Sequence, residues 1–211
     1  MAYLTNKHID EALKPYGVLA TTHLRVRIRE YVELLLKWNR TVSLTTVTDV
    51  DEVLSFHFGE SLFALSMLPV EKSRLADVGS GAGFPGIPLA MARPALQVNL
   101  IEPNARKFAF LSEVVRNLGI ANAVPFRGRM ADFQHGKKPL DVVTARALGQ
   151  FEELIEWSQH QLGPGGSLVL WLGQEDATKL SADPRFKWGT EVKIPGAERR
   201  AILVGSPQFD T

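Results

Sequence analysis

The chain has 211 residues, of which 45% are apolar and 22% charged, and it contains no cysteine. These values are typical of one globular domain, and the absence of cysteine excludes a disulfide framework and a thiolate zinc site. A net charge of +1 argues against a protein that coats nucleic acid. Because no apolar run approaches the ~20 residues of a membrane helix, and the first residues are unlike a signal peptide, we expect a cytoplasmic protein.

Helical patterns occupy the first third of the chain. A short helix is predicted over residues 5–14, a longer one from about Thr22 to Asn39, and a third from about Val50 to Met67. We therefore expect residues 1–70 to form a helical extension packed on the core, and 71–211 to form the main domain, so that the chain is effectively a single domain.

From about residue 74 to 172 the pattern alternates between strand and helix. Strands are predicted over 74–79, 96–103, 122–128, 140–146 and 166–173, with helices over 85–93, 105–119 and 151–163. Such alternation is typical of a doubly wound α/β sheet with crossover helices. The tail predicts an antiparallel strand pair, so we expect a mixed sheet.

Residues 77–86 read DVGSGAGFPG and lie between the first predicted strand and a helix. Gly79, Gly81 and Gly83 form G-x-G-x-G, the usual loop of methyl-donor enzymes. Gly81, Gly83 and Gly86 also form G-x-G-x-x-G, the dinucleotide fingerprint. In either case the glycines let the backbone approach a ligand, and the helix N-terminus suits an anionic group. The glycines by themselves leave both cofactors open.

Two acidic residues flank this loop. Asp77 lies on the strand where a dinucleotide fold normally has an apolar residue, which favours a methyl donor; its carboxylate is placed to orient loop amides or to reach a ligand's ammonium. Glu102 ends the next predicted strand, 19 residues after Gly83. An acid at that distance is placed to accept hydrogen bonds from a ribose diol, which both cofactors carry.

The middle of the chain is locally basic. Between Asn104 and Arg146, eight Lys or Arg residues stand against three Asp or Glu. On an almost neutral protein this predicts a basic patch rather than a uniform positive surface, although a solvated surface is the alternative. Arg146 itself ends the fourth predicted strand, at the side of the sheet where a substrate would bind.

An ordered set of motifs resembles the RsmG family, also called GidB, the small-subunit ribosomal RNA guanine-N7 methyltransferases. The motifs are LLLKWNRTVSLT (34–45), HFGES (57–61), DVGSGAGFPGIPLA (77–90), EPNARKFAFL (102–111), GRMADF (128–133), ARA around Arg146, LGPGG (162–166) and ERRAILV (198–204). The Pro-Gly-x-Pro run after the glycines is distinctive. The resemblance covers most of the chain.

The resemblance implies a Rossmann-like class I methyltransferase fold, with a seven-stranded mixed sheet and helices on both faces. It implies S-adenosylmethionine as cofactor and the guanine at position 527, in the 530 loop of 16S rRNA, as target. It places Gly79, Phe84, Met130, Ala131 and Arg146 at the cofactor. With the residues argued above, the predicted cofactor site is Asp77, Gly79, Gly81, Gly83, Phe84, Glu102, Met130, Ala131, Asp132 and Arg146.

The expected partner is 16S rRNA or the small ribosomal subunit, with no metal, no membrane and a monomeric protein. Exposed cations are the candidates for phosphate contacts. The predicted RNA-binding residues are His57, Arg106, Lys107, Arg127, Arg129, Lys137, Lys138, Arg199 and Arg200. His57 matches the family's histidine, but a helix histidine with a structural role is the alternative.

The chain departs from the family pattern at three positions. Leu172 stands where relatives commonly have Lys at the end of the fifth strand, Glu60 where Asp is usual, and Ala131 where many relatives have an acid. The first departure removes a cation near the expected substrate and bears on the RNA contact more than on the cofactor.

Guanine N7 carries a free lone pair and can attack a sulfonium methyl without losing a proton. We therefore expect catalysis by positioning, with no side chain clearly required, although Arg146 is a candidate. Three other functions remain: an NAD-dependent dehydrogenase, a small-molecule methyltransferase, and an RNA-binding module without catalysis.

Overall fold

A computed structural model describes residues 4–71, 73–134, 136 and 138–209. Eight strands make up its sheet: β1 (Ser73–Val78), β2 (Leu96–Glu102), β3 (Ala123–Arg127), β4 (Leu140–Arg146), β5 (Leu162–Gly173), β6 (Phe186–Trp188), β7 (Val192–Lys193) and β8 (Arg200–Pro207). Seven of them lie in the order β3-β2-β1-β4-β5-β8-β6, and β7 pairs with β8.

The sheet is mixed, as predicted. The five strands β1 to β5 run parallel, whereas β8 runs antiparallel to β5, β6 and β7. Because the parallel strands all end on the same side, their C-terminal ends form one edge, here called the carboxyl edge. Loops at this edge are where open α/β sheets bind ligands.

The helices are α1 (Asn6–Leu13), α2 (Thr22–Asn39), α3 (Val50–Glu52), α4 (Glu60–Phe63), α5 (Gly86–Ala92), α6 (Ala105–Asn117), α7 (Phe151–Gln161) and α8 (Gln174–Leu180). Thr21 and Asn104 cap α2 and α6, since each side-chain oxygen accepts a hydrogen bond from a backbone N–H of the first turn. In the part of the chain described, no helix is both long and apolar enough to cross a membrane.

Two of these helical regions differ from the sequence prediction. The third predicted helix is broken: a π-helical turn, Val53–Gly59, separates α3 from α4, and a 3₁₀ turn follows over Ala64–Met67. Helix α8 was not predicted at all. It has seven residues, of which only Ala177 and Leu180 are buried, so its apolar periodicity is too short to stand out.

The core consists of two clusters, one on each face of the sheet. The first packs the N-terminal helices together with α5 and α6, and the second packs α7 and α8. Tyr31 of α2 is at the centre of the first: it is fully buried, donates a hydrogen bond to the Ala82 carbonyl, and meets Phe58, Phe84 and Phe110 edge to face. The N-terminal helices thus contact the glycine loop directly. The domain boundary near residue 70 stays a prediction.

Gly86, at the start of α5, lets this helix approach the sheet closely. A Cβ at this position would lie 2.4 Å from Leu100 Cδ2 and 2.7 Å from Asp77 Oδ2. We expect Gly86→Ala to lower the free energy of unfolding by about 1–3 kcal/mol, because overpacking must displace a buried strand. Urea denaturation would measure this.

Gly149→Ala is the matched control, since no atom of the residues that the structure describes lies within 4 Å of the added methyl group at Gly149. It should change the free energy of unfolding by less than about 1 kcal/mol. Equal stabilities of the two variants would contradict the packing role of Gly86.

Candidate active site

The glycine loop leaves β1 at the carboxyl edge of the sheet. Gly79, Gly81 and Gly83 have φ angles of 70°, 59° and 90°, a region that other residues resist. The N–H groups of Gly79 and Ser80 both donate to the carbonyl of Ile101 on β2, each at 3.0 Å. The backbone of the neighbouring strand therefore holds the loop in a defined shape.

The glycines of the loop serve two different purposes. A Cβ on Gly83 would lie 2.7 Å from Ile87 Cγ1 and 3.0 Å from the Tyr31 hydroxyl, so this glycine is needed for packing within the protein. Among the described residues, a Cβ on Gly81 would have only the Gly79 carbonyl within 4 Å, at 3.7 Å. Gly81 thus borders open space, which suits the close approach of a ligand.

Asp77 lies beneath the loop and is fully buried. Its Oδ1 accepts a hydrogen bond of 2.9 Å from the Thr144 hydroxyl, and its Oδ2 accepts one of 3.2 Å from the Gly86 N–H. Burial raises the pKa of Asp77 to about 6, against the lowering effect of these hydrogen bonds. Of the two roles suggested by the sequence, its contacts correspond to orienting the loop amides.

Glu102 closes the other side of the loop. Its Oε2 accepts a hydrogen bond from the Gly81 N–H at 2.9 Å, and its Oε1 accepts one from the Asn104 N–H at 2.7 Å. Each carboxylate oxygen has a second lone pair, so both can still accept a hydrogen bond from a ribose hydroxyl. The side chain is held rigidly at the end of β2, where such a ribose would lie.

The turn after β3 lies next to Glu102. Met130, Ala131 and Asp132 form a single 3₁₀ turn, in which Met130 is half-buried and the other two are exposed. The Asp132 carboxylate accepts a hydrogen bond of 3.2 Å from the Arg129 N–H, which fixes the turn. The three residues are therefore placed to border a ligand that spans β1, β2 and β3.

Phe84 joins the loop to the N-terminal helices. Its ring stacks on His57 with a centroid separation of 4.4 Å and an angle of 9°. His57 Nε2 lies 2.8 Å from the Thr45 hydroxyl. Burial, together with the charge of Arg146, lowers the pKa of His57 to about 3, so its ring is neutral. His57 therefore packs inside the protein, and its predicted contact with RNA stays a prediction.

Arg146 ends β4 beside the loop, and its side chain is only 9% exposed. Burial lowers the pKa of Arg146 to about 10, partly offset by Glu60, so the group stays charged at neutral pH. Its Nη2 pairs with the Glu60 carboxylate at 3.0 Å, and Arg200 Nη2 pairs with the same carboxylate at 2.6 Å. The two guanidinium carbons lie 4.3 and 4.6 Å from the centre of the Phe56 ring. We call Phe56, Glu60, Arg146 and Arg200 the Glu60 cluster.

Glu60 was not among the predicted site residues. The one signal in the sequence was that Glu stands here where Asp is usual in relatives. The partners of Glu60 lie 86 and 140 residues further along the chain, so no local pattern could connect them.

Most of the predicted RNA-binding cations lie at the carboxyl edge. Arg106 and Lys107 begin α6, directly after β2, and Arg127 and Arg129 lie at the end of β3. Arg200 is paired with Gly173 at the end of β5, and Arg199 precedes it. Lys107 is half-buried, and the other five residues are exposed.

Lys138 is placed differently. It precedes β4 and therefore lies at the opposite edge of the sheet, where its carbonyl accepts a hydrogen bond from Arg74. Lys137 lies outside the described residues. The predicted basic surface is thus divided between two edges, and only the carboxyl edge borders the glycine loop.

Leu172, which stands where relatives commonly have Lys, lies on the face of the sheet opposite the Glu60 cluster. Leu172 packs in the core cluster of α7 and α8, whereas its neighbour Trp171 packs in the cluster of the N-terminal helices. Since successive residues of a strand point to opposite faces, a cation at 172 would lie across the sheet from the Glu60 cluster.

Comparison with known proteins agrees with this geometry. The model of the family GidB, rRNA small subunit methyltransferase G, matches residues 25–195. The ribosomal RNA small subunit methyltransferase G of Laribacter hongkongensis is 34% identical over 94% of this chain and 97% of its own length. That of Legionella pneumophila strain Corby is 38% identical over 94% of this chain and 93% of its own length.

The chain belongs to the GidB family. The family, the enzyme class and the cofactor predicted from the sequence are thereby confirmed: the protein is an S-adenosylmethionine-dependent methyltransferase. The dehydrogenase alternative is wrong.

Solved structures confirm the fold. A SAM-dependent methyltransferase from Aquifex aeolicus aligns with a TM-score of 0.61 and 16% identity, over 74% of this chain and 93% of its own. The ribosomal protein L11 methylase of Lactobacillus delbrueckii aligns with a TM-score of 0.61 and 17% identity, over 74% of this chain and 80% of its own. At such identities the likeness concerns the fold alone.

The residues of the site fit S-adenosylmethionine. Gly81 borders open space, Glu102 offers carboxylate oxygens for a ribose, and Arg146 is a buried cation near the loop. These groups match the nucleoside and the amino-acid end of the cofactor. The individual assignments of the cofactor residues stay predictions.

The raised pKa of Asp77 predicts a pH-dependent contribution to stability. Between the unfolded value of 3.8 and about 6, the folded state holds more protons than the unfolded state, so this contribution decreases as pH rises. We expect the stability difference between wild type and Asp77→Asn to fall by about 2–2.5 kcal/mol from pH 4 to pH 7. Urea denaturation of both proteins at each pH would measure it.

Thr144→Val provides the control. It removes the hydroxyl that donates to the Asp77 carboxylate, so the pH range of the effect should move upward. A difference between wild type and Asp77→Asn that does not change with pH would contradict the assignment.

Proposed function

We propose that this protein transfers the methyl group of S-adenosylmethionine to N7 of the guanine in the 530 loop of 16S rRNA during ribosome maturation. The observation that carries the proposal is the juxtaposition at one edge of the sheet. There the glycine loop and Glu102 lie beside exposed arginines, in a chain of the GidB family.

Residues of the glycine loop and of three strand ends would each contact a different part of the cofactor. Gly81 gives the backbone access to the ligand, Glu102 would accept hydrogen bonds from the ribose, and the turn from Met130 to Asp132 would border the adenine. Arg146 would pair with the amino-acid carboxylate. When bound, the cofactor supplies an electrophilic methyl group on a sulfonium.

The surrounding chemistry is consistent with N7 as the acceptor. The N7 lone pair would form the new bond to the methyl carbon as the carbon–sulfur bond breaks with its electron pair left on sulfur, and no proton would have to be removed. Asp77 is fully buried and accepts hydrogen bonds from Thr144 and Gly86, and His57 is buried with its pKa lowered to about 3, so it is a weak base. An acceptor that needs no general base suits this site.

The RNA is expected to approach along the carboxyl edge, where phosphate contacts release counterions. We expect Arg127→Gln with Arg129→Gln to weaken binding to 16S rRNA and to reduce the slope of log affinity against log salt by about 1.5–2. Filter binding over a salt series would measure the slope.

Lys138→Gln, a single change at the opposite edge of the sheet, serves as the control. Lys138 lies at the amino ends of the strands, so its loss should leave the affinity within about twofold. A larger effect at Lys138 than at Arg127 and Arg129 together would contradict the proposed approach of the RNA.

The activity can be tested in one incubation. The protein is mixed with methyl-labelled S-adenosylmethionine and small ribosomal subunits that lack the modification, and the RNA is then cleaved chemically at N7-methylguanine. We expect label in the RNA and a single cleavage in the 530 loop. Subunits already methylated at this guanine are the matched control and should take up no label.

The other outcomes identify the alternatives. Label without cleavage would place the methyl group on another atom, and transfer without any RNA would indicate a small-molecule methyltransferase. Binding of RNA without label would indicate a module that has lost catalysis. Parallel incubations with free rRNA and with intact subunits would show which form the enzyme uses, and sedimentation would test the expected monomer.

A further inference from the structure

The carboxylate of Glu60 joins two arginines at a buried position. The residue is 2% exposed. Its Oε2 accepts from Arg146 Nη2 at 3.0 Å, and its Oε1 accepts from Arg200 Nη2 at 2.6 Å and Nε at 3.2 Å. The indole of Trp171 donates to the Glu60 carbonyl at 2.9 Å, so the backbone of this residue is held as well.

The π-helical turn before Glu60 contributes a second acceptor for Arg146. The Glu60 N–H donates to the Ser55 carbonyl, five residues back, and the Phe56 carbonyl accepts a hydrogen bond of 2.9 Å from Arg146 Nη2. Single π-helical turns are often found at functional sites. Nη2 of Arg146 is thus held by two acceptors from the N-terminal helices, while the Phe56 ring lies against its guanidinium.

The other terminal nitrogen of Arg146 is left without a partner. Nη1 is buried and has no hydrogen-bond acceptor among the described residues. A buried donor of a charged group is costly to leave unpaired, so its position calls for an acceptor from outside the chain. Val78 pairs with Ala145 in the sheet, which places Arg146 beside Gly79, the first residue of the glycine loop.

The charges of the cluster identify the class of that acceptor. Two guanidinium groups share a single carboxylate, so the Glu60 cluster carries one excess positive charge. One carboxylate from a ligand would balance this charge and accept the hydrogen bond of Nη1. At neutral pH, S-adenosylmethionine has one anionic group, the carboxylate of its amino-acid end.

We propose that Glu60 is a positioning residue, which holds the Arg146 guanidinium by Nη2 so that Nη1 meets the carboxylate of S-adenosylmethionine. Glu60 itself does not touch the cofactor. This role of Glu60 concerns the bound cofactor and not the identity of the RNA. It can therefore be disproved while the proposed methylation of 16S rRNA holds, and the methylation of 16S rRNA can be disproved while the role of Glu60 holds.

Decarboxylated S-adenosylmethionine is a direct probe, because it lacks only the group that Nη1 would bind. Titration calorimetry of the full-length protein, without RNA, would give the affinity for each ligand. For the wild type we expect a preference of ~10–100-fold for S-adenosylmethionine, the range of a charge-assisted hydrogen bond. Equal affinities would overturn the proposal and favour an RNA phosphate as the partner of Nη1.

Three variants separate position from charge. Glu60→Met removes the acceptor and so releases Arg146, but it adds one positive charge to the cluster. Glu60→Met with Arg200→Gln releases Arg146 and restores the charge of the wild type. Arg200→Gln alone is the matched control, because it leaves the pair of Glu60 and Arg146 intact. Thermal unfolding without ligand would show that each variant is folded.

We expect Arg200→Gln to keep most of the preference for the carboxylate, within about threefold of the wild-type ratio. Both variants that lack Glu60 should reduce the preference to below ~5-fold. If Glu60→Met does not fold, the charge-balanced double variant decides. A wild-type preference in a folded variant without Glu60 would overturn the positioning role, and so would loss of the preference in Arg200→Gln.

Discussion

The buried carboxylate of Asp77 holds three elements of the site together. It lies near the end of β1, accepts hydrogen bonds from Thr144 of β4 and from the first N–H of α5, and receives no solvent. The Asp77 carboxylate therefore fixes where the loop between β1 and α5 turns. Burial opposes the charged form and raises the pKa of Asp77. The absence of a side chain at Gly86 lets α5 come close enough for its N–H to reach the carboxylate.

The N-terminal helices line the site and do not form a separate unit. Tyr31 donates to the loop carbonyl of Ala82, and His57 stacks on Phe84. Both contacts are buried, so the shape of the loop depends on helices that come earlier in the chain. The same helices supply Glu60 and the Phe56 carbonyl to Arg146. The loop and the arginine are thus oriented by one packed unit.

Electrostatics give the two edges of the sheet different characters. At the carboxyl edge lie exposed arginines and the Glu60 cluster, which carries one excess positive charge. This edge therefore suits a ligand with a carboxylate and a substrate with phosphates. Lys138 lies at the other edge of the sheet. The burial of Asp77 and of the weakly basic His57 agrees with a reaction in which the acceptor nitrogen attacks through a free lone pair and the protein holds the reactants in position.

The sequence by itself determined the order of the strands and helices, the glycine loop and the two acids that flank it. These follow from patterns within a few residues: apolar periodicity, glycines between a strand and a helix, and an acid at a strand end. Helix α8 was missed because seven largely polar residues carry little periodicity. Only the tertiary structure decided that His57 is a buried stacking partner, that Lys138 lies away from the site, and that Leu172 faces the opposite layer. It alone joined Glu60 to Arg146 and Arg200, because pairing across 86 and 140 residues depends on how the layers pack and leaves no local trace.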